Sequence, residues 1–252
     1  MTNYPTDLSN SQWEVISKYL DTQRSRKYEL RDIMDAILYL VKTGCQWRML
    51  PNDFPSWRIV YYYFSTWKKD LTIDYIHEML VEKTRKEKGR NEEPTVGIID
   101  AQSVKNTLVS SESKGFDAGK KVKGIKRHII VDSLGLILTV VIQSACVQDR
   151  DGAIEVVEKL VECWKKVIKI FADSGYRGKL IEKVKQRFAI TVEIIKRTEE
   201  HMFKVLPKRW IVERTFAWLE TNRRNAKYYE RLNDTGVAMV QLSAIRIMIK
   251  RF

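Results

Sequence analysis

The sequence is poor in the residues that build zinc sites and disulfide frameworks. Its 252 residues include few cysteines and histidines: Cys45, Cys146, Cys163, His77, His128 and His201. The cysteines are odd in number, and none stands in the paired spacing that a zinc site requires. They are therefore predicted to be reduced packing residues, and a metal site has to be built from carboxylates.

Long apolar runs are also missing. No stretch approaches the roughly eighteen consecutive apolar residues of a membrane span. The first ten residues are polar and lack the order of charged and apolar segments found in a signal peptide. A hydrophobic content of 44% still allows a packed core. We expect a globular cytoplasmic protein with no membrane partner, without internal repeats or low-complexity tracts.

Acidic residues are fewer than basic ones, 32 against 45. The formal net charge is +13, with a pI near 9.5, and ten of these thirteen charges fall in residues 91–252. Clustered Lys and Arg bind polyanions largely by releasing counterions from phosphate. The composition therefore favours a nucleic-acid partner, although a solvated basic surface would give the same total.

The spacing of apolar residues divides the chain near residue 90. Residues 1–90 carry helical patterns, the first opened by a capping box of Ser9 and Gln12. Residues 91–252 read as three strands, helix, strand, helix, strand and two helices, with a hairpin turn near Gly135. This order predicts an α/β fold: a mixed five-stranded sheet flanked by helices, similar to ribonuclease H, behind a small helical domain.

Two aspartates directly follow predicted strands. Asp100 comes after the apolar run 95–99, and Asp173 after the run 167–172. The first and fourth strands of such a sheet can lie parallel and adjacent, which would bring the two carboxylates together. Alone, each aspartate is better explained as a cap of the following turn, because a buried carboxylate requires a partner.

A third acid favours the interpretation of the two aspartates as metal ligands. Glu213 is predicted to lie on an apolar and aromatic helical face with Trp210 and Phe216, although a salt bridge to Arg209 would also explain it. Three converging carboxylates would repel one another unless hard divalent cations lay between them, and oxygen ligands favour Mg²⁺ or Mn²⁺. Two such ions can promote in-line phosphoryl transfer, the chemistry of DNA cleavage and joining.

Other acids near these positions have structural explanations. Asp149 and Asp151 precede an amphipathic helix and are predicted to cap it, and Asp132 lies in the hairpin turn.

Several segments then resemble the insertion-sequence-five family of bacterial transposases. They are GIIDAQSVK (97–105), KGIKRHIIVDSLGLILTVVIQSACVQDRDG (123–152), FADSGYRG (171–178) and RWIVERTFAWLE (209–220). TGCQWRMLP (43–51) and SWRIVYYYFSTWKKD (56–70) are similar to that family's helical leader. The match spans nearly the whole chain in the same order, and only residues 190–207 match loosely.

The resemblance implies both function and site. Asp100, Asp173 and Glu213 take the places of the family's metal ligands, with two Mg²⁺ or Mn²⁺ ions as cofactor. Residues 91–252 become the catalytic domain, and residues 1–90 a domain for end recognition or dimer contacts. The implied partners are double-stranded DNA, as transposon ends and target, and a second copy of the chain. The implied location is the bacterial cytoplasm, at the nucleoid when DNA is bound.

Basic residues near the acids are predicted to contact DNA. A glycine-containing loop over residues 114–127 is rich in lysine, and arginines flank Glu213. The predicted set is Lys105, Lys120, Lys121, Lys123, Lys126, Arg127, Arg177, Arg209, Arg214, Arg223 and Arg224.

Two other functions stay open. The first is a nuclease that cuts DNA without joining it. The second is an inactivated or domesticated transposase that only binds DNA, which the three intact acids disfavour. The aromatic residues of the segment 57–67 are predicted to pack in the core rather than to stack on bases.

Overall fold

The computed structural model describes residues 4–108, 112–195 and 209–252, without the side chain of Arg209. Two compact units can be distinguished within it. One unit contains the described residues of Met1–Leu80 together with Leu219–Lys227 and Ala238–Phe252. The other contains those of Val81–Trp218 and Tyr228–Val237. The units are therefore interleaved along the chain, and the predicted domain bounds at residue 90 remain a prediction.

The first unit is helical. It contains α1 (Asn10–Ser17), α2 (Leu30–Thr43), α3 (Trp57–Lys69), most of α4 (Thr72–Glu87) and the second part of α8 (Asn233–Ile249). The predicted capping box is confirmed, because Ser9 and Gln12 exchange side-chain and backbone hydrogen bonds.

Packing in this unit follows the helical period. In α3 the buried residues Val60, Phe64 and Trp67 are four and three positions apart. The helix α2 ends where Gly44 adopts a left-handed φ of 70° and donates to the carbonyl of Leu40.

The second unit is built on a mixed sheet. Its strands are β1 (Val96–Lys105), β2 (Gly115–Asp117), β3 (Val122–Val131), β4 (Ile137–Ser144), β5 (Lys169–Ala172) and β6 (Thr191–Ile194). The helices α5 (Asp149–Cys163), α6 (Lys179–Phe188) and α7 (Arg209–Glu220, to Trp218 in this unit) accompany them. The predicted fold class is confirmed, with β2 as an additional strand that the sequence did not indicate.

Strand order places β1 in the middle of the sheet. It pairs antiparallel with β3 on one side and parallel with β5 on the other, and β6 extends the sheet beyond β5. The other edge of β3 pairs first with β2 and then with β4. The predicted adjacency of the first strand and the strand before Asp173 is confirmed. Burial of β3 on both faces from Gly124 onward shows that it forms the core of the unit.

A buried ion pair closes the β3–β4 hairpin. Asp132 is fully buried, forms an ion pair with Arg85, and accepts the backbone N–H groups of Leu134 and Leu136 at 2.9 and 2.8 Å. Arg85 also donates to the carbonyl of Asn91 at 2.8 Å. The structural role predicted for Asp132 agrees with this arrangement.

Removal of this carboxylate should destabilise the protein strongly. We expect Asp132→Ala to lower the free energy of unfolding by about 3–5 kcal/mol, because it leaves the Arg85 guanidinium buried without its counter-charge. The measurement is urea denaturation. The control is Glu193→Ala, which breaks the exposed pair of Glu193 with Lys169 at 3.1 Å and should cost less than about 1 kcal/mol. Equal losses in the two variants would contradict the assignment.

Candidate active site

Asp100 lies within a strand rather than at its end. The prediction that the strand stops at Asp100 is wrong: β1 continues to Lys105, and Asp100 stands opposite Ile129 of β3. Only the parallel pairing with β5 stops near this point, with Ile98 opposite Phe171. One edge of β1 is therefore released beside Asp100, while the other remains hydrogen-bonded to β3.

Asp173 directly follows β5, as predicted. It caps the 3-10 turn Ser174–Tyr176, where its Oδ1 accepts the N–H of Gly175 at 2.8 Å. Val96 pairs with Lys169, 73 positions later, and Asp173 is likewise 73 positions after Asp100. The strand register therefore brings the two aspartates to the same level of neighbouring parallel strands.

The ionised form of Asp100 is unfavourable at this position, because the carboxylate is largely buried and lies near other acids. The pKa of the Asp100 carboxyl is raised to about 6, mainly by burial and to a smaller extent by the carboxylates of Asp173 and Asp149. The N–H of Ala101, which donates to Oδ1 at 2.8 Å, and the charge of Lys120 oppose that rise. Asp100 is therefore a partly buried acid held beside like charges.

Asp149 belongs to the same cluster, and sequence reasoning missed it. The predicted capping role is wrong for this residue, because the N-cap of α5 is Gln148, with no side-chain cap bond. Asp149 Oδ1 lies 2.8 Å from the Nζ atom of Lys126, and its charge acts on Asp100. An acidic residue before a helix has an ordinary local explanation, so only the distant partner Lys126 could have revealed this role.

Lys126 supplies positive charge inside the unit. It is buried, donates to the carbonyl of Val147 at 2.7 Å, and lies 3.5 Å from Asp117 Oδ2. Burial opposes ionisation of Asp117, but the hydroxyl of Ser103, the N–H of Lys120 and the charge of Lys126 lower its pKa to about 2. A line of alternating charges thus runs from Asp117 through Lys126 to Asp149.

Glu213 lies on α7 at an exposed position. The prediction that its carboxylate lies on a buried apolar face is wrong, because the helix buries Ile211, Val212 and Thr215 instead. The Thr215 hydroxyl donates to the carbonyl of Gly135 at 2.8 Å, which attaches α7 to the hairpin turn. In the described ranges, no group of three or more His, Cys, Asp or Glu side chains is arranged to hold a metal ion.

The predicted basic residues separate into two classes. Lys105, Lys120, Lys121, Lys123, Arg177 and Arg223 are exposed. Lys126, Arg127 and Arg224 are buried, so they do not offer their charges to a DNA backbone. For these three the prediction is corrected. Lys126 and Arg127 belong to the segment 114–127, which is not an open loop but contains β2 and the start of β3. Arg224 lies in the 3-10 turn Arg223–Asn225 and donates to the carbonyl of Cys45 at 3.2 Å.

Two arginines near Glu213 complete the predicted set. The guanidinium of Arg214 lies between the rings of Trp210 and Trp218, 4.3 and 4.4 Å from their centroids, and donates to the carbonyl of Leu134 at 3.0 Å. The side chain of Arg209 lies outside the described residues.

The raised pKa of Asp100 predicts a pH-dependent stability change. The folded value of about 6 exceeds the usual 3.8, so the stabilising contribution is complete below about pH 4 and is lost as the pH rises through about 6. We expect Asp100→Asn to raise the unfolding free energy of the metal-free protein at pH 7.5 by up to about 3 kcal/mol, and to change little at pH 4. Urea denaturation at both pH values measures this, with the exposed Asp151→Asn as control. Equal effects at both pH values would contradict it.

Comparison with known proteins gives a consistent picture. Residues 91–248 match the family model described as "Transposase DDE domain", and residues 8–77 match "Putative transposase of IS4/5 family". The chain is 28% identical over 131 residues to a putative transposase for insertion sequence element IS402 from Burkholderia cepacia, covering 49% of this chain. The matched region spans 62% of that relative's length.

A solved structure is also similar to part of the chain. The Drosophila P element transposase strand transfer complex aligns with 75% of this chain and 45% of its own, at 14% identity and a TM-score of 0.34. No helix among the described residues is long and apolar enough to cross a membrane.

The family models cover most of the sequence, in the order in which the motifs occur. The chain therefore belongs to the family of transposases with a DDE domain.

Proposed function

We propose that this chain is a DNA transposase that cleaves DNA at transposon ends and joins the exposed 3′ hydroxyl to target DNA. One observation carries the proposal: Asp100 and Asp173 lie level on adjacent parallel strands, in a chain that belongs to a DDE family. Burial and, to a smaller extent, the charge of Asp173 raise the pKa of Asp100, and a bound cation would supply the counter-charge for both ionised carboxylates.

The donor set fits a hard divalent cation. Asp100 and Asp173 offer only carboxylate oxygens, which Mg²⁺ and Mn²⁺ prefer. Glu213 is proposed as the third ligand by its place in the family motif. Bound ions, two in the mechanism we favour, would stabilise charge on the attacking and leaving oxygens of the phosphodiester.

The chain's own residues supply the remaining requirements. Lys120 Nζ lies 3.0 Å from the carbonyl of Ala101, next to Asp100, and the residue is exposed. It is therefore well placed to hold the phosphate backbone beside the acids. Arg177, also exposed, follows the turn that Asp173 caps. Lys126 stays inside the unit, where it balances Asp149 and Asp117.

End recognition is proposed for the helical unit, on the exposed face of α3. Arg58, Tyr61, Tyr62 and Lys69 lie on this face at helical spacing, with Tyr61 and Tyr62 46% and 61% exposed. Trp57 lies between the guanidinium groups of Arg48 and Arg58, at 5.1 and 5.2 Å. Cations interspersed with tyrosines suit contacts to phosphate and sugar. The sequence predicted that the aromatic residues of the segment 57–67 pack in the core. Phe64 and Trp67 are buried in this way, whereas Tyr61 and Tyr62 are exposed.

Two further features are proposed from the function itself. Joining two transposon ends to one target requires two active sites, which favours a homodimer in the DNA complex. A substrate carried by the bacterial chromosome places the reaction in the cytoplasm, at the nucleoid.

The active-site assignment predicts loss of both chemical steps without loss of DNA binding. Alanine at Asp100, Asp173 or Glu213 should reduce end cleavage and strand transfer by at least about a thousandfold, because each removes a cation ligand. The assay is incubation with the element's own ends and Mn²⁺, scored for cleaved ends and joined target. Asp151→Ala, at an exposed position on α5, is the control and should keep wild-type rates.

The same assay decides between the rival functions. Cleavage without covalent joining to target would indicate a nuclease, and DNA binding without any cleavage would indicate an inactive DNA-binding protein. Strand transfer that survives in any of the three variants would refute that residue's assignment.

The α3 face predicts a salt-dependent loss of end binding. The double variant Arg58→Ala, Lys69→Ala should weaken binding and lower the slope of log K against log[salt] by about 2, because two phosphate contacts are removed. The control is Lys18→Ala, Arg24→Ala, which removes two exposed charges outside α3. Titration of end DNA at several salt concentrations measures both. The same slope in wild type and the α3 variant would exclude this face.

A further inference from the structure

Tyr176 ends the short turn that begins after Asp173. Its side chain is completely buried, at 0% exposure, and its hydroxyl has no hydrogen-bond partner among the residues that the structure describes. A buried hydroxyl without a partner costs stability and is rare in folded proteins. The residue lies within the motif FADSGYRG, three positions after Asp173.

The surroundings of the hydroxyl are acidic. Burial raises the pKa of the Tyr176 phenol well above its usual value, and the negative charges of Asp100, Asp149 and Asp173 raise it further. The phenol therefore remains protonated beside three carboxylates, which when ionised accept hydrogen bonds but cannot donate them. The Tyr176 hydroxyl is therefore a hydrogen-bond donor that no described residue uses, near these three carboxylates.

A second buried group near the cluster differs in its neighbours. His128 is also buried, and within the described part of the chain both of its ring nitrogens lack hydrogen-bond partners. The charges that act on it are those of Asp149, Lys126 and Lys120. Tyr176, by contrast, experiences the charges of both strand aspartates. Tyr176 is thus the better candidate for a role at the proposed cation ligands.

We propose that Tyr176 is a positioning residue whose hydroxyl donates a hydrogen bond to an oxygen ligand of the divalent cation held by Asp100 and Asp173. The inference rests on the proposed function, since it requires that these two aspartates bind the cation. Such a donor fixes the direction of a ligand oxygen and neutralises part of its charge, as hydrogen bonds behind metal ligands generally do. It also explains why an otherwise costly hydroxyl is retained at a buried position.

The test is Tyr176→Phe in the full chain, which removes the hydroxyl and keeps the ring. We expect Mn²⁺ affinity, measured by isothermal titration calorimetry at pH 7.5, to fall about ten- to hundredfold. Without the cation, the melting temperature should stay equal or rise, because the lost hydroxyl forms no hydrogen bond to any described residue. End cleavage by the variant should recover part of its rate as the Mn²⁺ concentration is raised.

The matched control is Tyr228→Phe. Tyr228 is also buried, but its hydroxyl donates to the carbonyl of Leu232 at 3.1 Å, and its ring packs with Val104, Ile125 and Ile142. This variant should lower the melting temperature and leave Mn²⁺ affinity unchanged.

Two results would overturn the inference, and they differ from failure of the proposed function. Unchanged Mn²⁺ affinity in Tyr176→Phe would show that the hydroxyl serves no ligand. A lower melting temperature of the cation-free variant, together with weaker binding, would show a merely structural role. If Asp100→Ala binds Mn²⁺ as tightly as the wild type, the cation assignment itself is wrong, and the role of Tyr176 falls with it.

Discussion

The collection of carboxylates at one place in the sheet, with Asp100 largely buried among them, is the constraint on which the rest of this unit depends. Burial raises the pKa of Asp100 most, and the charges of Asp173 and Asp149 add to the rise by repulsion. In a medium less polar than water such repulsion amounts to kilocalories rather than tenths. The described fold offsets part of this repulsion with backbone N–H donors and with the buried charge of Lys126.

The sheet explains how these compensating groups are brought together. Antiparallel pairing with β3 continues along β1 beyond Asp100, whereas the parallel pairing of β1 with β5 ends at Ile98, two residues before it. The short strand β2 then carries Asp117 to the exposed edge of β3, within reach of Lys126. The lysine-rich segment is therefore part of the architecture that holds the acids, and only its exposed members remain for contact with a polyanion.

Apolar patterning was enough to predict the strands before Asp100 and Asp173 and their adjacency, because buried parallel strands read as continuous apolar runs. It could not reveal that β1 continues, since Gln102 and Ser103 interrupt the apolar pattern there. The burial of Lys126 was equally hidden, because a lysine is normally exposed and its partner Asp149 lies 23 positions later. The exposed position of Glu213 depends on how α7 rests on the hairpin turn, which local sequence does not specify.

The interleaving of the two compact units bears on how the chain acquires its structure. Ala238–Phe252 complete the unit that contains Leu30–Thr43, and within this unit the Gln241 amide donates to Asp74 Oδ1 at 2.8 Å across 167 positions of the chain. During synthesis the early helices are therefore made long before the last segment of their own unit. Contacts between residues so far apart in sequence make closure of this unit a late step in folding.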